Sequence, residues 1–246
     1  MKRTPIVAGN WKMNLVSDEA RALCRGIRER PGGEEVEVVV FPSHPLLPLV
    51  AESLEGTDVE WGGQDLSPLE PGAHTGDVAA VQLRDLGASW ALAGHSERRR
   101  DHGESDELVA AKVAAAASKG LTPVLCLGET AEERSREQTF SVLARQLDVL
   151  TEPPPSLVVA YEPVWAIGTG DTATPEQAEA AHRFLRERFA GRLGEERGAA
   201  LRILYGGSVK PHNAAELAAQ PDIDGFLVGG ASLDADSFLS IIEVFV

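Results

Sequence analysis

Eight short apolar runs recur along the whole chain and restrict its fold more than any other feature. They are "PIVAG" from residue 5, "VEVVVF" from 36, "DVEWG" from 58, "SWALAG" from 89, "TPVLCLG" from 122, "SLVVAY" from 156, "LRILYGG" from 201 and "DGFLVGG" from 224. Each is rich in Val, Leu and Ile and lacks the polar alternation of a half-solvated strand, as expected of parallel strands covered on both faces. Helical segments with start and stop signals lie between them. Thr174, Pro175 and Gln177 combine an N-cap, a first-turn proline and a capping-box partner, and Ser105 precedes Asp106 and Glu107 in another first turn. Gly87 and Gly120 stand where helices should stop.

Dividing 246 residues among eight runs gives about 31 per unit, the size of one strand–helix–strand step. Repeated alternation of this kind implies a parallel sheet, and eight units suggest a closed (β/α)8 barrel spanning residues 1–246 as a single domain. An open doubly wound sheet is the alternative. Against it, no GxGxxG follows the first run and no linker tract divides the chain; "EPPPS" from 152 is short and leads directly into the sixth run.

A formal charge of −15 argues against a nucleic-acid or anionic-membrane partner, because either would need a basic face. An anionic small substrate would therefore have to be drawn in by local N–H groups and a few placed cations. Cys24 and Cys126 show neither CxxC nor zinc-ligand spacing, and two cysteines are too few for a disulfide framework. They fit reduced thiols in a cytoplasmic protein. The opening "MKRTPIVAGNWKMN" has too short an apolar stretch for a signal segment, and no later run reaches membrane-spanning length.

In a barrel of this kind the chemistry gathers where strands end at their C-terminal side. The first run ends in Asn10 and Lys12, the third in Gln64 and Asp65, and the fourth in His95, Ser96 and Glu97. The sixth ends in Glu162, the seventh in Gly206, Gly207 and Ser208, and the eighth in Gly229 and Gly230. Each has a bland reading alone: a solvated lysine, a structural histidine, a charged surface in "SERRRD", a turn at each glycine pair. Together on one rim they suggest a base, an electrophile, a fixed cation and a phosphate grip, which is the set needed to move a proton beside a carbonyl. No metal-ligand cluster is evident, so neither a metal nor a cofactor is expected.

The segments "AGNWKMN", "AGHSERR", "AYEPVWAIGTG", "LYGGSVK" and "GFLVGGASL" resemble the signature segments of the triosephosphate isomerase family, in order, from residue 8 to 233. The resemblance implies interconversion of dihydroxyacetone phosphate and D-glyceraldehyde 3-phosphate through an enediolate. It implies Glu162 as base, His95 as a neutral electrophile before a helix N-terminus, Lys12 as electrostatic stabiliser, Asn10 as a positioning group and Glu97 as the partner that holds Lys12. These are the roles for which the family is itself the standard example. Gly168, Ser208, Gly229 and Gly230 would grip the phosphate. Pro163, Val164 and Trp165 would be a hinge, residues 166–170 a lid tip, and Tyr205 the group that holds the lid closed. Cys126, near the base in the family, is read as a buried structural thiol.

Some positions depart from the family pattern: His74 and His102 stand where aromatics are usual, Asp171 where lysine is frequent and Asp65 where asparagine is. The segment 65–79 resembles a loop that inserts into a second subunit, which implies a homodimer with Thr75 near the partner's site. Two rival readings remain: the same mechanism on a tetrulose phosphate, and a non-catalytic barrel that senses a phosphosugar. The second would have no need of the base.

Overall fold

A computed structural model describes residues 3–28, 35–167 and 172–246. The eight runs become eight strands: β1 (Ile6–Asn10), β2 (Glu37–Phe41), β3 (Val59–Gly63), β4 (Trp90–Ala93), β5 (Thr122–Leu127), β6 (Val158–Tyr161), β7 (Arg202–Tyr205) and β8 (Gly225–Val228). They form a closed barrel in sequence order, every pairing parallel. β1 is bonded on both sides, with Ile6 opposite Glu37 of β2 and Gly225 of β8. Helices connect successive strands, since a parallel neighbour can be reached only by a crossover.

Strand side chains alternate between two dry environments, which is why the runs show no polar alternation. One set, including Ile6, Ala8, Val39, Phe41, Leu92 and Leu204, fills the barrel interior. The other, including Val7, Val38, Val40, Leu125, Val159 and Ile203, faces the helices. Burying one such side chain is worth about 1.5–3 kcal/mol. The bulk inside is unevenly shared. Gly62 of β3 has no side chain because an added Cβ would lie 2.3 Å from the Trp90 carbonyl oxygen. Trp90 itself occupies the interior and donates its indole N–H to Glu60 at 2.6 Å.

The connecting helices start where the sequence signals them. Thr174 accepts from the Gln177 N–H at 3.3 Å and Gln177 returns the bond to the Thr174 N–H at 3.1 Å, ahead of the helix Pro175–Leu193. Ser105 accepts from Leu108 at the start of the helix Asp106–Ser118. Gly87 and Gly120 follow their helices with φ of 95° and 75°, a conformation that L side chains resist. No helix among the described residues is long and apolar enough to cross a membrane.

Closure depends on β8 meeting β1 closely. Gly225 has φ 136°, and a Cβ there would fall 1.9 Å from the Ile6 carbonyl oxygen. Gly225→Ala should therefore lose at least about 2 kcal/mol of stability, read as a lower urea midpoint. A midpoint equal to that of the parent would show that closure tolerates the change.

Candidate active site

At the C-terminal rim the strand ends converge on a cavity of about 690 Å³ lined by Asn10, Lys12, His95, Glu97, Glu162, Ser208, Gly229 and Gly230, among others. Gly168 lies outside the described residues, as does Asp171. Every other residue singled out for catalysis or substrate binding is therefore on one hollow.

Glu162 follows β6 directly and is 1% exposed. Its Oε1 lies 2.9 Å from His95 Nε2, and its Oε2 accepts from the Ser96 N–H at 2.8 Å. Burial disfavours the charged carboxylate, but His95, the Ser96 N–H and the Lys12 ammonium outweigh it and hold its pKa below the usual value. The backbone around it leaves no room for larger residues. A Cβ on Gly128 would fall 1.7 Å from the Glu162 carbonyl oxygen, and one on Gly206 2.9 Å from its Cγ.

His95 is the N-cap of the helix Ser96–His102 and takes the Glu97 N–H on Nδ1 at 3.3 Å. A nitrogen that accepts a hydrogen bond carries no proton, so these contacts belong to the neutral tautomer with its proton on Nε2, donated to Glu162. Burial pushes the imidazole pKa down. The Glu162 carboxylate, helped by Glu97, pushes harder and leaves it above the ordinary value, with Lys12 opposing. The upward pull comes from the contact with Glu162 and weakens if that carboxylate turns away.

Lys12 has φ 52°, in the left-handed region that a non-glycine residue occupies only when its surroundings impose it. Its N–H bonds Asn10 Oδ1 at 3.0 Å, its carbonyl accepts from Gln64 at 2.8 Å, and its ammonium meets Glu97 Oε1 at 2.6 Å. The side chain passes Gly229, where a Cβ would lie 3.4 Å from Lys12 Cε.

Three contributions were not assigned from the sequence. Gln64 was noted at its rim position without a role, and its amide joins Lys12 to the Phe41 carbonyl. Asp65 receives Lys112 at 2.5 Å and Arg98 at 3.0 Å, and Lys112 also meets Glu104 at 2.6 Å. Glu129, fully buried just beyond β5, accepts from the Trp165 indole at 2.9 Å and lies 3.2 Å from the Tyr161 hydroxyl, with Arg134 at 3.6 Å. The rule that found Glu162 also points to Glu129, since "LGET" ends the fifth run as "YEP" ends the sixth. Tyr205 does not line the cavity and lies buried behind it.

A second hollow of about 530 Å³ adjoins the first through Asn10, Lys12, His95 and Glu97, and reaches His44, Asp101, His102 and the 95% exposed Met13. No group of three or more His, Cys, Asp or Glu side chains among the described residues could hold a metal ion.

Comparison with known proteins agrees with the geometry. The family model described as triosephosphate isomerase matches residues 5–245. The chain is 47% identical to a triosephosphate isomerase of Thermus thermophilus, over 98% of this chain and 99% of the relative. It is 51% identical to one of Alkalilimnicola ehrlichii, over 98% of each, and 50% identical to one of Halorhodospira halophila, over 97% of each.

Neither cysteine is placed to act as a nucleophile. Burial raises the Cys24 thiol to about 11, and raises Cys126, also beside the Glu162 charge, well above its ordinary value. Native protein at pH 8 should show no rapid reaction with a chromogenic disulfide reagent, and denatured protein should titrate both thiols. A fast native thiol would contradict the burial.

Proposed function

The chain belongs to the triosephosphate isomerase family, and from that premise we propose how its rim residues interconvert dihydroxyacetone phosphate and D-glyceraldehyde 3-phosphate. The observation that carries the reading is the contact between Glu162 Oε1 and His95 Nε2 at 2.9 Å, with Lys12 on the same cavity. Glu162 removes a proton from the carbon beside the carbonyl and returns it to the neighbouring carbon. To do so its carboxylate leaves His95 and Ser96. Losing those stabilising contacts while still buried raises its pKa and strengthens it as a base.

The same movement frees the Nε2–H of His95, which then donates to the substrate oxygens. With Nδ1 committed to the Glu97 N–H, the neutral imidazole is the electrophile, and the dipole of the following helix disfavours a second proton. Lys12 offers fixed positive charge to the developing enediolate, Asn10 positions the oxygens, and Glu97 holds the ammonium in place. Ser208, Gly229 and Gly230 hold the phosphate, joined by the N–H of Gly168. Pro163, Val164 and Trp165 serve as the hinge of a lid over residues 166–170 that excludes water from the enediolate. The bond from Trp165 to Glu129 supports that reading by tying the hinge to β5.

The single-domain reading of residues 1–246 is supported by the pairing of β1 with β8. Two free, buried cysteines fit a reducing cytoplasm. The prediction for the chemistry is a coupled isomerase assay on Glu162→Asp. Withdrawing the carboxylate by one methylene should lower kcat on the order of 100-fold with a much smaller change in KM. Binding of the triose phosphates by the parent without any turnover would favour a phosphosugar sensor, and turnover unchanged by Glu162→Ala would remove Glu162 as the base. A much higher kcat/KM on a tetrulose phosphate than on the trioses would move the substrate assignment to the four-carbon sugar.

The loop 65–79 supports a homodimer. Its stem is pinned by Ser67, which donates its N–H to the Val78 carbonyl and its hydroxyl to Asp77, both at 2.8 Å. Every residue from Leu69 to Asp77 is exposed. Thr75 at its tip would enter the second hollow of a partner, beside Met13 and His102, bringing His74 there in place of an aromatic ring. Sedimentation should give twice the chain mass; a fully active monomer would contradict the pairing.

A further inference from the structure

The helix Thr139–Asp148 turns Val142, Leu143, Gln146 and Leu147 inward. Three of these are apolar, as suits a helix face laid on a core. Gln146 is the exception. It is 5% exposed, and an amide buried to that extent is costly unless its donor and its acceptor are both used. Both go to one residue. Gln146 Oε1 accepts the Gly128 N–H at 2.8 Å, and Gln146 Nε2 donates to the Gly128 carbonyl at 3.3 Å. Gly128 is the first residue beyond β5, so a side chain from a helix takes up the two backbone groups that a further strand residue would otherwise bond.

Gly128 is also the middle of a three-residue seat for the main chain that carries Glu162. The Leu127 carbonyl accepts the Glu162 N–H at 2.7 Å, and the Glu129 carbonyl accepts the Val164 N–H at 3.1 Å. Between those two bonds Gly128 lies against Glu162 itself. A Cβ on Gly128 would fall 1.7 Å from the Glu162 carbonyl oxygen and 2.6 Å from the carbonyl carbon. No side chain cushions this contact, so a displacement of Gly128 is passed directly to the Glu162 backbone.

We propose that Gln146 is a positioning residue for the isomerase: by holding both polar groups of Gly128 it fixes the backbone of Glu162, and so the reach of the carboxylate to the carbon that loses its proton. The role matters most during proton transfer. At that point the carboxylate has left His95 and the Ser96 N–H, and its place is set by its own backbone. A misplacement on the order of 1 Å can cost about 100-fold in rate. Gln146 makes no contact with the substrate in this scheme and exchanges no proton.

This inference rests on Glu162 as the base. The experiment compares the steady-state kinetics of the parent, Gln146→Leu, Glu162→Asp and the double variant. Gln146→Leu stays close in volume and loses both bonds, so it should lower kcat about tenfold and leave KM within about twofold. A smaller folded fraction would also lower kcat alone, but by the same factor in either background. Action through the base predicts unequal factors. With the carboxylate already withdrawn in Glu162→Asp, adding Gln146→Leu should cost less than about twofold. Equal factors in both backgrounds, or an unchanged kcat in Gln146→Leu, would overturn the proposal. Gln146→Met, unbranched and similar in length, replaces Gln146→Leu throughout if the latter does not fold. A second readout needs no turnover: the proton on His95 Nε2, which lies 2.9 Å from Glu162 Oε1. Its resonance should move upfield in the Gln146 variant as the carboxylate shifts, and an unmoved resonance would also overturn the proposal. A parent without isomerase turnover would sink the functional reading while leaving the resonance comparison intact.

Discussion

The active rim depends on keeping a carboxylate charged out of water. An isolated buried carboxylate would take up a proton instead. Glu162 stays ionised because two donors from a single turn, His95 Nε2 and the Ser96 N–H, reach its two oxygens. Those donors belong to the end of β4, so the charge is secure only if β4 and β6 hold their places on either side of β5. The barrel supplies that fixed spacing through the registers Leu92 with Val124 and Val124 with Val158.

The groups around that carboxylate form a connected series. Lys12 meets Glu97, the Glu97 N–H meets His95, and His95 meets Glu162. Positive and negative groups are interleaved, so Lys12 and His95, both on the cavity, are held by the carboxylates of Glu97 and Glu162. Such preorganisation is stored in the backbone. Lys12 sits at φ 52°, a conformation that costs about 1–3 kcal/mol, held between Asn10 and Gln64 so that its ammonium points at the rim.

Much of this was legible in the sequence because strand ends are marked locally. The run "SLVVAY" stops at a glutamate, "SWALAG" at a histidine, and the rim rule turns those stops into neighbours without any coordinates. Strand limits differed from the apolar runs by only a few residues, since the apolar pattern and the ladder report the same burial. Less legible were side chains whose partners are distant in sequence. Nothing near Gln64 reveals that its amide spans Lys12 and Phe41, and nothing near Asp65 reveals Lys112. Asp65 was noted as a departure from the family's asparagine, but a carboxylate there makes sense only once an ammonium and a guanidinium converge on it.

The acidic chain and its anionic substrate are reconciled by distance. At physiological salt, charges more than about 8 Å from the cavity are largely screened, so the net charge of −15 acts weakly on a phosphate already at the mouth. The nearest carboxylates are engaged, Glu97 by Lys12 and Glu162 by His95. Lys12, Arg100, Lys210 and His212 line the same hollow, and Arg100 is offset by its pair with Asp101. The field at short range is therefore set by the charged residues that line the hollow, Lys12 and Lys210 among them, rather than by the composition of the chain. An acidic surface elsewhere keeps such molecules apart in solution, and its sign need not match the sign of the site.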